Sequence, residues 1–418
     1  MNRSWTRNLD WTVIGTWAAL VSVGLVAIYS ATHGPASEFL LDTVQRNFAR
    51  QTQWFIISGV AMTIILFIPA TTIRRLAYVG YAVTFALLVL TLLFGREING
   101  ARSWLYVGPI GLQTSELMKV GVVLAVARLL SAKEARAGQW PYLAGAIALI
   151  AVPMMLIALS DAGTALVVAA LIPVMLFWTG LVPLPMMALL AGIAVAGYLA
   201  IISPIWGLLF GLAFTATMGF WVKRRWFTVV AGVCSIGVAL VTRFALYSVL
   251  KPHQRGRLTA FVEPEAYRLT EGYHMIQAKA AVGSGGLFGK GFMSGTQTQL
   301  AFIPEQSTDF IFSVIGEEFG FIGAMLVLGL FALLLVRMTW LGTYAGYSMT
   351  RLVAGGATGI FLVHVLINIG MNLGVMPVIG IPLPFVSYGG SALLANTVLV
   401  AIALNLHARR EEFSIYGA

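Results

Sequence analysis

The stretch "WTVIGTWAALVSVGLVAIYS", Trp11 to Ser30, carries no charged residue over a length that crosses a bilayer as a helix. No small-residue cleavage site precedes the next polar loop, so it reads as a retained first span and not as a removed leader. The same pattern recurs along the chain. Apolar runs follow at about residues 53–70, 77–94, 115–131, 142–160, 162–180, 184–203, 205–221, 226–250, 310–336, 351–372 and 391–406. That makes twelve candidate helices and predicts an all-α polytopic membrane protein, a single membrane domain over residues 1–418. A composition of 59% hydrophobic and 10% charged residues excludes a large soluble fold. Pro183, Pro185 and Pro204 punctuate the middle, where the segments read as a kinked or partly re-entrant pair.

Lys and Arg sort by side. With the N-terminus in the cytoplasm, fourteen of the 26 basic residues fall on inner segments, Arg74, Arg75, Arg128, Arg337, Arg351 and Arg409 among them, against four acidic ones. The whole net charge of +10 therefore lies inside, and both termini are expected to be cytoplasmic. The basic balance reports an anionic lipid leaflet and implies no nucleic acid. A single cysteine, Cys234, excludes an internal disulfide and a cysteine metal cluster.

This topology puts residues 251–308 outside, as one long extracytoplasmic segment. Its part "LTEGYHMIQAKAAVGSGGLFGKGF" opens as a weakly amphipathic helix, polar at His274 and Gln277 and apolar at Met275, Ala278 and Val282, and continues into a glycine-rich turn. An ordered cap is expected. The turn is no nucleotide site: "GSGGLF" has Phe288 where a dinucleotide fingerprint needs its third glycine, and Gly291 follows Lys290 where a phosphate loop needs Ser or Thr.

Charges at the membrane edge are costly and point to function or to pairing. On the outer side they are Arg102, Glu116, Lys119, Asp161, Arg243, which is given no role, and the strip "IPEQSTDFIFSVIGEEFG" (303–320). Glu116 and Lys119 are three apart, so one helical face holds both; a self-neutralising ion pair and a ligand role stay equally open. Asp309 falls at the start of an apolar helix, where capping and chemistry are both open to a carboxylate. Glu317 and Glu318 lie roughly 12 to 14 Å further along that helix and read as structural.

Four blocks, "NGARSWLYVGPIGLQTSELMKVGVVL" (99–124), "SDAGTALVV" (160–168), "YHMIQAKAAVGSGGLFGKGFMSGTQTQLAFIPEQSTDFIFSVIGEEFGFIG" (273–323) and "MPVIGIPLPFVSYGGSALLAN" (376–396), resemble the RodA/FtsW/SpoVE (SEDS) family. Within it, "GTQTQLAFIPEQSTDFIFS" is more similar to the RodA branch of cell elongation than to the FtsW branch of division. The resemblance implies a peptidoglycan glycosyltransferase that polymerises lipid II at the outer face of the bacterial cytoplasmic membrane. It implies Asp309 as the essential carboxylate, and Trp104, Glu116, Lys119 and Asp161 as further family positions. It also implies a family core of ten spans, so that residues 184–222 read as an inserted helix pair. A class B penicillin-binding transpeptidase is the implied partner, its membrane helix against helices near residues 311–371. Two departures stand out: Ser307 replaces a usual histidine, and Ser160 and Ala162 replace the usual Pro and Leu around Asp161.

The chemistry follows from the substrate class. A sugar on a lipid pyrophosphate has a good leaving group, so the donor needs charge neutralisation more than an acid, and the acceptor hydroxyl needs a base. One carboxylate suffices, unlike the pair of ordinary glycoside hydrolysis. Asp309 is the expected base. Arg102, Lys119, Arg255, Arg257, Lys279 and Lys290 are the outer cations for the pyrophosphate, with Arg257 and Lys279 preferred because they lie in or near the resembling blocks. A divalent cation, Mg²⁺ or Mn²⁺, is compatible with two phosphates and a carboxylate; no nucleotide is expected. "MPVIGIPLPFVSYGG" is too broken by Pro and Gly to span and is expected as a re-entrant or outer loop buried in protein, with Ser387 touching substrate or capping the loop. The competing function is a flippase for the same lipid-linked precursor, in which intramembrane charges serve a translocation path.

Overall fold

The computed structural model describes residues 4–34, 41–98, 101–108, 110–132, 140–180, 184–222, 225–248, 252–267, 272–300, 302–303 and 305–410. Lys133, Arg136, Lys223 and Arg224, part of the expected inner charge, lie outside the described residues. In chain order the helices are α1 (Ser4–Arg7), α2 (Trp11–His33), α3 (Asp42–Gln45), α4 (Asn47–Phe67) and α5 (Ala70–Phe94). Three strands follow, β1 (Arg96–Ile98), β2 (Ala101–Val107) and β3 (Ile110–Gln113), and then α6 (Thr114–Leu130), α7 (Trp140–Ala158) and α8 (Ala162–Trp178). Next come α9 (Leu184–Ile202), α10 (Pro204–Trp221), α11 (Arg225–Ser248), α12 (Pro252–Val262), α13 (Tyr273–Ser284) and α14 (Thr296–Gln299). The chain closes with α15 (Ile311–Thr343), α16 (Ser348–Asn372) and α17 (Gly390–Ala408).

Each of the twelve expected apolar segments lies on a long helix, so the chain is a polytopic, all-helical membrane protein. Among the described residues eight helices have the length and apolarity of a span: α2, α5, α7, α9, α10, α15, α16 and α17. α8 and the Thr228–Thr242 part of α11 are shorter apolar helices. Boundaries moved where polar residues extend a helix beyond its apolar run: α4 starts at Asn47 and α5 at Ala70, directly after Pro69. The sheet was not expected. β2 pairs antiparallel with both β1 and β3, with Trp104 opposite Gln113, and "SWLYV" supplies the β-branched and aromatic residues that favour a strand.

The chain divides into two compact units where the sequence reading has one domain. The second unit is Gly180–Ile276 with Met376–Val378. Within it α9, α10 and α11 pack on one another around Leu189, Met218 and Ala231, and α12 touches α9. Close approach there depends on glycine: a Cβ on Gly192 would stand 2.3 Å from the Phe214 ring, and one on Gly207 2.7 Å from the Ala200 Cβ. The expected inserted pair is thus α9 and α10, and in this unit they pack with α11.

The first unit holds the remaining elements. α17 packs on α4, α6 on α5, and α16 on α15 and α8. α16 and α17 are its most enclosed spans, 78% and 83% buried, against 17% for α5. Helix α15 is broken. Gly320 sits at φ 65°, ψ −160°, a conformation left to glycine, so the helical bonds that Phe321 and Ile322 would make to Glu317 and Glu318 are gone. The glycine-rich turn of residues 285–291 replaces them one for one. Lys290 N donates to Glu317 O (3.0 Å) and Gly291 N to Glu318 O (3.0 Å), while Phe321 N donates to Gly286 O (2.9 Å) and Ile322 N to Leu287 O (3.2 Å). Four backbone groups that would each cost several kcal/mol unsatisfied in an apolar surround are all paired. A Cβ at Gly320 would lie 2.2 Å from Gly289 N, and one at Gly289 2.1 Å from Glu318 O, which is why the turn is glycine-rich.

Candidate active site

Asp309 closes a turn of residues 305–310 that leads into α15. The turn starts at Glu305, whose φ of 55° is uncommon for a residue with a side chain, and whose carbonyl accepts the N–H groups of Thr308 and Asp309, each at 3.1 Å. The cap position of α15 is Phe310 and has no side-chain cap bond, so Asp309 is not the helix cap that its position allowed.

Polar groups from three other parts of the unit fix this turn and the loop beside it. From α16, Asn368 and Asn372 donate through Nδ2 to the Asp309 carbonyl at 2.9 and 3.1 Å. From the loop after α16, Ser387 Oγ donates to Thr308 O, and Tyr388 N donates to Ser307 O at 2.8 Å. From α4, Asn47 reaches Ser307 Oγ at 3.2 Å, and Gln51 bonds both Ser387 O (3.2 Å) and Gly389 N (3.1 Å). The Asp309 side chain is partly exposed, and its Oδ2 lies against Gly380: a Cβ built there would be 3.4 Å away. Gly380 itself has φ 77°.

The loop of residues 379–389 is non-helical and enclosed, as its prolines and glycines predict; Ile381, Leu383, Phe385 and Val386 are buried. Ser387 is buried too. Its Oγ accepts Leu383 N at 2.8 Å while donating to Thr308 O, so it caps the loop and has no face for substrate.

Glu116 and Lys119 are almost wholly buried in α6. Lys119 Nζ lies 2.9 and 2.8 Å from the two Glu116 oxygens and 2.9 Å from His364 Nε2. His364 Nδ1 lies 3.0 Å from the Pro382 carbonyl, which only accepts; Nδ1 therefore carries the proton and Nε2 accepts from the ammonium. The pair that the sequence left open is thus an internal ion pair, and Lys119 is closed off from a phosphate outside.

Asp161 caps α8. It accepts Thr164 N at 2.9 Å, Thr164 Oγ1 at 2.6 Å and Gln113 Nε2 at 3.1 Å, which ties α8 to β3. Gln113 N in turn donates to Ser391 Oγ at the start of α17 (3.0 Å). Trp104, opposite Gln113 on β2, is partly exposed, and Arg102 is a surface residue 3.6 Å from Glu97. Lys279 on α13 is exposed; Arg257, exposed on α12, belongs to the second unit.

The two glutamates of α15 are anchors. Glu317 accepts from Lys290 Nζ (2.7 Å) and from the backbone N–H groups of Thr296, Gln297 and Thr298 (2.8 to 2.9 Å), capping α14 from a different helix. Glu318 accepts from Ser30 Oγ (2.6 Å) and Gln299 Nε2 (2.6 Å). Lys290, expected among the phosphate cations, is thereby engaged. Among the described residues no group of three or more His, Cys, Asp and Glu side chains comes together. Among the described residues the protein donors do not fit a metal cage of their own.

Comparison with known proteins places the chain in a family. The sequence profile of the FtsW/RodA/SpoVE cell cycle proteins matches residues 10–210 and 186–412. The chain belongs to the FtsW/RodA/SpoVE family. Among its curated members, the peptidoglycan glycosyltransferase RodA of Treponema pallidum is 33% identical over 96% of this chain and 98% of its own length. The peptidoglycan glycosyltransferase MrdB of Escherichia coli is 34% identical over 86% of each chain. A family structure solved in work on how a peptidoglycan synthase complex coordinates polymerization and crosslinking superposes with a TM-score of 0.69, at 30% identity, over 96% of this chain and 98% of that one. The crystal structure of Thermus thermophilus RodA gives 0.61 at 28% identity, over 96% and 97%. The resemblance to the RodA branch is borne out.

Sequence reasoning missed residues that hold the turn or the loop of residues 379–389 beside it: Asn47, Gln51, His364, Asn368 and Asn372. The last three had a readable signal. They recur every four residues in an otherwise apolar helix, which puts three polar groups on one face inside the membrane.

Proposed function

We propose that this chain is a RodA-type peptidoglycan glycosyltransferase that polymerises lipid II into glycan strands at the outer face of a bacterial cytoplasmic membrane, with Asp309 as general base. The activity is the one its relatives' names carry. One observation supports Asp309 above Glu116, Glu317 and Glu318: its backbone is held by Asn368 and Asn372 and the residue stays partly exposed beside Gly380, whereas those three are buried.

In the reaction, the 4-hydroxyl of the acceptor's terminal GlcNAc gives its proton to the Asp309 carboxylate as its oxygen attacks the donor's anomeric carbon. The bond from that carbon to the phosphate oxygen breaks, and the lipid pyrophosphate leaves with the electron pair, inverting the centre. Exposed Arg102 and Lys279 are the phosphate contacts of this reading, and Trp104 a substrate contact on the small sheet. Ser387, Asp161, Glu116 and Lys119 act by holding the frame. A bound Mg²⁺ or Mn²⁺ would supply charge neutralisation to the pyrophosphate without a cage from the described side chains. The partner is a class B penicillin-binding transpeptidase, in keeping with the peptidoglycan synthase complex of the solved relative.

Purified protein given lipid II in detergent forms glycan chains if the reading is right, and Asp309→Asn forms none while keeping its melting temperature. Leaflet exchange of lipid II in vesicles without any polymer identifies a flippase instead. Polymer at the wild-type rate from Asp309→Asn removes Asp309 from the chemistry.

A further inference from the structure

Helix α16 carries a buried polar ladder. His364, Asn368 and Asn372 follow at intervals of four, so their side chains rise along one face of the helix, and all three are at most 1% exposed. Polar groups this deep in an apolar helix are retained where something specific needs them. Each rung ends on a backbone carbonyl outside the helix: His364 on Pro382, Asn368 on Ile381 (2.8 Å) and on Asp309 (2.9 Å), Asn372 on Asp309 (3.1 Å).

Asn368 is the pivot. Its amide has two hydrogens, and one goes to the Asp309 carbonyl while the other goes to Ile381, the residue after Gly380. Gly380 is the residue against which the Asp309 carboxylate rests. A single side chain therefore sets both the backbone that carries the carboxylate and the backbone that forms its floor. Asn372 fixes the other end: its Oδ1 accepts Ser313 N (3.0 Å) and Ser313 Oγ (2.6 Å) in the first turn of α15, and its Nδ2 also donates to Asn368 O at 2.8 Å.

We infer that Asn368 and Asn372 are positioning residues for glycosyl transfer, holding Asp309 at its distance from the Gly380 floor where the acceptor hydroxyl must be deprotonated. They touch no substrate and act through Asp309. The inference rests on the reading of Asp309 as the base.

The structure supplies an internal control. Asn405 on α17 is equally buried and also donates to backbone carbonyls, those of Ile65 (2.7 Å) and Ile68 (2.8 Å), but none of its partners belongs to the Asp309 turn or the loop of residues 379–389. Removing it is a loss of the same chemistry without the positioning role.

The test is steady-state polymerisation of lipid II by full-length Asn368→Ala, Asn372→Ser, Asn405→Ala and Asp309→Asn, each with its melting temperature in the same detergent. A base displaced by about 1 Å loses on the order of 100-fold in rate. Asn368→Ala is expected to lose about that much in kcat with KM within about threefold, because what is lost is felt in the transition state. Asn372→Ser, which gives up one of the two bonds to Asp309, is expected to fall between Asn368→Ala and wild type. Asn405→Ala is expected to melt lower and keep its kcat. If Asn368→Ala does not fold, a folded Asn372→Ser decides in the same way. Wild-type kcat in either folded ladder variant, or an equal kcat loss in Asn405→Ala, overturns the inference. Those results with an inactive Asp309→Asn leave the proposed function standing; an active Asp309→Asn removes that function's base and the inference with it.

Discussion

Glu317→Gln is the substitution that most directly tests how the glycine-rich turn is held. Glu317 Oε1 accepts the Lys290 ammonium and two backbone N–H groups, and Oε2 accepts Thr298 N at 2.9 Å and Thr298 Oγ1 at 2.8 Å. Glutamine keeps the shape but turns one oxygen into an NH₂. Its better orientation leaves oxygen on the Oε1 side, which still strands Thr298 N against a second donor at a cost of about 1–3 kcal/mol. The two remaining backbone bonds lose their charge assistance, roughly half their strength, and the Lys290 ammonium loses its counter-charge, so the sum is about 3–5 kcal/mol, in the range for breaking a buried pair. Lys290→Met is the milder comparator. Its side chain is 25% exposed, and it leaves the carboxylate with its backbone donors, so about 1 kcal/mol is expected. Tryptophan-fluorescence melting in detergent reads the difference: at about 2–4 °C per kcal/mol, Glu317→Gln is expected to melt at least about 6 °C below wild type and clearly below Lys290→Met. Trypsin cutting after Lys290 is expected to speed up as the turn detaches. Equal melting of Glu317→Gln and Lys290→Met, with unchanged proteolysis, would refute the view that this carboxylate caps α14.

Gly320→Ala puts a Cβ where Gly289 N already lies, at a φ of 65°. A loss of roughly 2–5 kcal/mol from strain and overlap is expected, seen as low yield or a lower melting temperature. Lys119→Met leaves Glu116 buried and unpaired and is expected to cost about 3–5 kcal/mol, whereas Glu116→Gln with Lys119→Met together recover most of that; melting of the three proteins checks the order. Arg102→Ala breaks only a pair whose side chains are 52% and 58% exposed, so its stability change is expected to stay below about 1 kcal/mol. A fall in polymer yield without a change in melting would then mark Arg102 as a phosphate contact.

Most of the fold is determined by the sequence alone, because the apolar runs answer to a single solvent. A bilayer demands about twenty apolar residues per crossing and leaves helix as the local solution, so twelve helices are legible without any long-range information. The small sheet was not legible in the same way. Strands as short as Arg96–Ile98 and Ile110–Gln113 depend on their pairing with β2 more than on their own residues. The acid of the proposed site was legible too, through its place where loop becomes helix and through the family motif. What each of the other polar residues does was not. Lys119 has the same charge in an open cleft as beside Glu116 and His364, and only the packing of α6 on α16 decides between phosphate contact and internal ion pair. Ser387, read as substrate contact or loop cap, became a cap once its hydroxyl met both Leu383 and Thr308. The glycines of residues 285–291 show the division most plainly. Sequence marks them as a turn; tertiary structure makes that turn the missing strand of hydrogen bonds in a helix broken at Gly320. The physical reason is range: hydrophobic length acts on each segment separately, whereas a hydrogen bond inside an apolar surround is satisfied by whatever donor or acceptor the folded chain brings to it.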